Sequence, residues 1–128
     1  MERLYLNPAA LAPPAAPFTY GVRCGDLFFL AGHVSFDDQN RVVGSGDPER
    51  QAVQCWDNIE IALEDAGGSL ANVVKIQVFL KDIRFAEAEQ TVRVDRFKDL
   101  TLPACTLVEV SNLGSPELLM EIDAIAVL

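Results

Sequence analysis

The ten residues from Leu118 to Val127 constrain this chain more than any other stretch. They read Leu-Leu-Met-Glu-Ile-Asp-Ala-Ile-Ala-Val, and the period of a strand sorts them onto two faces. Leu118, Met120, Ile122, Ala124 and Ala126 share one face, which is wholly apolar. The other face holds Leu119, Glu121, Asp123, Ile125 and Val127, and it too is more than half apolar. A strand that is dry on both sides needs cover on both sides. Helices supply one cover, and a second copy of the chain is the economical source of the other. Glu121 and Asp123 then fall at the joint between copies, where a buried carboxylate is costly unless it is paired or hydrogen-bonded. Two readings follow: an ion pair across the joint, or an acid–base group in a cleft between subunits.

The remaining residues read as one domain spanning 1–128, long enough to build a core without staples. Residues 7–17 carry Pro8, Pro13, Pro14 and Pro17 among alanines and predict an extended arm. Tyr20–Cys24 and Leu27–Gly32 predict two strands around a turn, and residues 37–47 a loop with a brief strand at Val42-Val43. Asp47 caps a helix, with Pro48 in its first turn. Ala52, Trp56, Ile59, Leu63 and Ala66 form its buried face, and Gly67-Gly68 ends it. Val73–Leu80 alternates as a strand, with Val74, Ile76, Val78 and Leu80 on its dry side. Phe85, Ala88, Val92 and Phe97 mark a second, more polar helix. Strands at Ala104–Val110 and Leu118–Val127 close the chain. The order ββαβαββ implies an α+β layer, with two helices on one face of a mainly antiparallel sheet.

Charge narrows the partners. Nineteen carboxylates against ten basic side chains give a net charge of −9, which repels phosphate backbones, so nucleic acid is not expected. Lys75, Lys81, Arg84, Arg93 and Arg96 are scattered and read as a solvated face. No apolar run is long enough to span a bilayer, so no membrane is expected either. Three widely spaced cysteines suit reduced thiols in a cytoplasm. One histidine and no C-x-x-C pair leave too few ligands for a structural zinc, and neither metal nor cofactor is expected. Cys24 and Cys55 read as small packing residues.

Two segments, Pro103-Ala-Cys-Thr-Leu-Val-Glu-Val110 and Met120-Glu-Ile-Asp-Ala-Ile-Ala-Val127, resemble the closing signature of the RidA/YjgF family, P-A-R-S-x-V-E-V followed by I-E-I-E-A-I-A-V. The resemblance extends through Val73–Asp82, the helix Gln51–Gly67, and Gly21 to Gly32, which is nearly the whole chain. It implies a chorismate-mutase-like α+β fold and a homotrimer, with a small-molecule cleft at each subunit interface. The family's best-described members hydrolyse enamine and imine intermediates to 2-oxo acids and ammonia. Older names call relatives translation inhibitors or endoribonucleases.

By the same resemblance, Glu121 is the carboxylate that positions water, while Gly32, Phe18, Thr106, Leu107 and Glu89 line the cleft. Cys105 stands where active deaminases carry an arginine, and Phe18 where they carry a tyrosine. A guanidinium fork binds a carboxylate bidentately and a thiol cannot, so a neutral or cationic substrate is expected. Cys105 also admits a nucleophilic reading with His33 as base, although acidic surroundings favour a protonated thiol. A non-catalytic trimer that binds a small ligand is the alternative; an RNA-cleaving translation inhibitor is disfavoured by the charge.

Overall fold

A computed structural model describes residues 1–128. Its strands are β1 (Arg3–Leu6), β2 (Gly21–Cys24), β3 (Leu27–His33), β4 (Val73–Leu80), β5 (Ala104–Glu109) and β6 (Met120–Val127). The helices are α1 (Pro48–Asp65) and α2 (Ala86–Arg96). One six-stranded sheet runs β1-β2-β3-β6-β4-β5, antiparallel at every pair except β4–β5, which is parallel. The α+β layer expected from the pattern is therefore present, with one strand more at its front. β1 escapes a period reading because Leu4 and Tyr5 are both exposed and the strand has no dry side.

Asp47 caps α1 as expected, its Oδ1 accepting the Arg50 N–H at 3.0 Å, and Gly67 supplies the left-handed residue at the end (φ +86°). Ala52, Cys55, Trp56, Ile59, Ala62 and Leu63 all lie buried against the sheet. The expected face of β6 meets them, with Met120, Ile122, Ala124 and Ala126 buried. Leu118 is buried as well but precedes the strand.

Two details differ from simple alternation, both through bulges. Val73 faces Ala126 and Lys75 faces Ile125, so Val74 is the extra residue between them. Val73 is thus buried and Val74 is exposed, the reverse of the expected dry side. On β3, Leu30 pairs Ala124 and His33 pairs Ile122, so Ala31 and Gly32 together oppose Asp123. That second bulge lies beside Glu121, on the neighbouring strand. The strand expected at Val42-Val43 reduces to a single bridge between Phe36 and Val42.

The sheet's other side has no helices. Leu27, Phe29, Val108 and Val127 are each at least 40% exposed there. No helix of the chain is long and apolar enough to cross a membrane.

Candidate active site

At the bulged end of β3 a cavity of about 270 Å³ opens between the proline-rich arm, the β3 exit and the start of β6. Leu11, Ala12, Phe18, Phe36 and Leu118 give it apolar walls, while Tyr20, His33, Asn58 and Glu121 bring the polar atoms. The arm is tied in place from below. The Tyr20 hydroxyl donates to the Ala12 carbonyl at 2.9 Å, and the Asn40 amide donates to Pro13 at 3.1 Å. Asn58, reaching up from α1, donates to the carbonyls of Val34 and Phe36 at 3.1 and 2.9 Å and fixes the chain after β3.

Glu121 crosses the bulge and lies flat on Gly32. A Cβ at Gly32 would overlap that carboxylate, with its Cδ at 2.6 Å and its Cγ at 2.8 Å. The glycine is needed for close approach and not for an unusual backbone angle. Burial raises the Glu121 pKa above the ordinary carboxylate range, and the neighbouring charge of Asp123 raises it further. Burial also raises Asp123, against a Gln77 backbone hydrogen bond and the Lys75 charge. None of the chain's ion pairs involves Glu121. Within the chain it is a half-buried acid facing a mostly apolar space.

His33 is 3% exposed, and its ring stacks on Tyr20 with centroids 5.4 Å apart. Its Nε2 is buried without a hydrogen-bond partner, and burial lowers its pKa to about 4. The unfolded chain protonates this group near 6.5. Between those values the unfolded state binds the extra proton, so stability present above pH 6.5 is lost as the pH falls through about 4. We expect wild type to lose about 3 kcal/mol more than His33→Phe between pH 7 and pH 4 in urea unfolding. Equal losses in the two proteins would contradict this assignment.

The other expected site residues lie elsewhere. Cys105, Thr106 and Leu107 sit on β5, an edge strand, and line no part of this cavity. Register fixes their directions. Cys105 pairs Ile76 and Leu107 pairs Val78, so both point to the helix side. Thr106 pairs Gln77, points to the helix-free side and accepts a hydrogen bond from Lys75 Nζ at 2.9 Å. Glu121 pairs Phe79, also on the helix-free side. Cys105 and Glu121 of one chain therefore face opposite sides of the sheet, and His33 on β3 and Cys105 on β5, separated by β6 and β4, form no dyad.

Glu89 does not reach the cavity either. It is fully buried and serves as a structural acid, accepting the Trp56 Nε1–H at 3.2 Å. Arg93 grips it through Nη2 at 2.6 Å and Nε at 3.1 Å. Nor are Arg93 and Arg96 part of a solvated face. Their side chains are 12% and 21% exposed, and Arg96 ties α2 to Asp57 and Glu60 of α1 at 2.7 and 2.5 Å. Tyr20 and Asn58 went unnoticed in the sequence because their partners are loop carbonyls, which leave no pattern.

The sequence matches the family described as Endoribonuclease L-PSP over residues 9–128. A RutC family protein of Synechocystis sp. is 37% identical over all of this chain and 98% of its own length. The 3-aminoacrylate deaminase RutC of Acinetobacter baylyi is 30% identical over 98% of both chains. Among solved structures, a Rid-family protein of unknown function from Yersinia pestis superposes with TM-score 0.93 at 25% identity, covering 99% of this chain and 100% of that one. The YjgF gene product of E. coli gives TM-score 0.85 at 29% identity over 92% and 93% of the two chains.

Proposed function

Because the chain belongs to the RidA/YjgF (endoribonuclease L-PSP) family, we propose that it is a homotrimer that hydrolyses a small imine or enamine in clefts between its subunits. The observation that carries this reading is Glu121: an unpaired, half-buried carboxyl with a raised pKa, laid on Gly32 against an apolar cavity. A general base works best when its pKa lies near the working pH, and desolvation moves a carboxyl in that direction. In the proposed step an enamine first tautomerises to its imine, and Glu121 takes a proton from water as the oxygen attacks the C=N carbon and passes that proton to nitrogen. The hydroxyl proton of the carbinolamine then moves to nitrogen as the C–N bond breaks, leaving C=O and free ammonia. The deaminase name of the Acinetobacter relative supports the same reaction class.

Two features support a site shared between copies. The helix-free face exposes Leu27, Phe29 and Val127 together at one end and Val108 near the other, apolar side chains that a second copy would cover. Cys105 and Glu121 also point to opposite sides of one sheet, so they can meet only across a junction of subunits. The test is a panel of imines formed in situ by oxidation of amino acids and amines, followed by carbonyl and ammonia release. Acceleration of at least one supports the enzyme. Tight ligand binding with no acceleration across the panel would favour a non-catalytic binder. An RNA-cleaving role draws support only from the family's descriptive name, and a charge of −9 opposes it.

Gly32→Ala separates the carboxylate's placement from the fold. The atoms that must move belong to a side chain, so the melting temperature should stay close to wild type. A carboxylate displaced by about 1 Å is expected to cost roughly 10²-fold in turnover. Unchanged turnover in Gly32→Ala would show that the contact with Glu121 is incidental.

A further inference from the structure

We propose that Arg93, though carried by a helix and paired to a buried acid, is the carboxylate anchor of the cleft, reached by a ligand past the short side chain of Cys105. This rests on the intersubunit reading above, and it reverses the expectation of a neutral or cationic substrate drawn from Cys105 alone.

The argument begins with Glu89. Its carboxylate is fully buried and held on one side by the Trp56 indole N–H at 3.2 Å. It therefore acts as a fixed post. Arg93, one turn along α2, binds this post side-on through Nε and Nη2. That grip fixes the plane of the guanidinium. An arginine has five N–H groups and two bidentate edges. The Nε–Nη2 edge is spent on Glu89, and the rest of the guanidinium meets no oxygen acceptor of the protein, only the weakly accepting sulfur of Cys105.

The side chain at 105 decides what this edge meets. Cys105 points to the helix side of the sheet and lies beside the guanidinium. It sits on an edge strand and is exposed. A thiol ends one heavy atom beyond Cβ and leaves room there, whereas a longer residue would cover the guanidinium. The Cys105 position thus keeps a planar cation although its own residue has none. The cation arrives from α2, pre-oriented by a buried carboxylate, so little side-chain freedom remains to be lost when a ligand docks. Glu89 also offsets part of the positive charge. The preference for an anion should accordingly be about tenfold, at the low end for a charge-assisted pair.

Pyruvate and pyruvamide, which share a shape and differ in charge, serve as probes in calorimetric titrations. Wild type is expected to bind pyruvate about tenfold more tightly than pyruvamide. Arg93→Lys, which keeps the charge and loses the fork, should lose most of that ratio. The double variant Glu89→Gln/Arg93→Gln leaves no unpaired buried charge. It should bind the two probes equally. A wild-type ratio near one, or a preference that survives in the double variant, would overturn the proposal. The two readings fail separately. Imine hydrolysis without a pyruvate preference removes the anchor and leaves the enzyme, and an Arg93-dependent preference without any hydrolysis removes the enzyme and leaves the anchor.

Discussion

Glu121→Gln is expected to reduce imine turnover by roughly 10²–10⁴-fold, the usual contribution of a positioned general base. The amide keeps the size of the carboxyl and can still lie on Gly32, so binding of a product-like ligand should change little. It cannot accept a proton. The pH dependence gives a second signature. Burial raises the Glu121 pKa, first by desolvation and then through Asp123, and the base form is the ionised one. The acid limb of the wild-type rate profile should therefore fall above the ordinary glutamate range. In Asp123→Asn that limb should move toward lower pH, because a neighbouring negative charge has been removed. Glu121→Gln turning over within threefold of wild type would eliminate the carboxylate as the base.

Arg93→Met should be the most damaging change to the fold, at about 3–5 kcal/mol. The reason lies in the residue left behind. Glu89 is fully buried beneath α2, and without Arg93 its only remaining donor is the Trp56 N–H. Breaking one side of a buried pair leaves an uncompensated charge, which costs far more than an exposed ion pair contributes. By contrast, Arg84→Met removes an equally short pair with Asp82, but one whose arginine side chain is 85% exposed and screened by water, and it should leave the unfolding midpoint close to wild type. Adding Glu89→Gln to Arg93→Met should restore most of the loss, since a neutral amide replaces the stranded carboxylate. Chemical denaturation of the three proteins provides the comparison. Similar costs for Arg93→Met and Arg84→Met would show that Glu89 finds another partner.

The sequence discloses elements with a strong period and conceals what depends on contact. The capped α1 and both faces of β6 were legible because Asp47, Pro48 and the spacing from Ala52 to Ala66 all agree, and alternation in β6 is uninterrupted. β1 was not legible, since a four-residue edge strand with exposed apolar side chains has no face to announce it. Bulges are invisible to a period reading, so Val74 and Val73 exchanged sides. For the site, the C-terminal motif led to Glu121, and the resemblance over Gly21 to Gly32 led to Gly32. It gave no warning that Glu89 is a buried post or that Arg93 stands at Cys105. Those facts depend on α2 lying across the sheet, a relation between segments far apart in the chain. The resemblance assigned one cleft to residues that the chain divides between two sides of its sheet, and only the proposed assembly of copies would reunite them.

Sedimentation velocity at micromolar protein concentration tests that division most directly. A cleft built from neighbouring protomers requires a single species of about three times the 14.0 kDa chain mass. A stable 14.0 kDa particle would leave Glu121 and Cys105 permanently apart and would contradict the account.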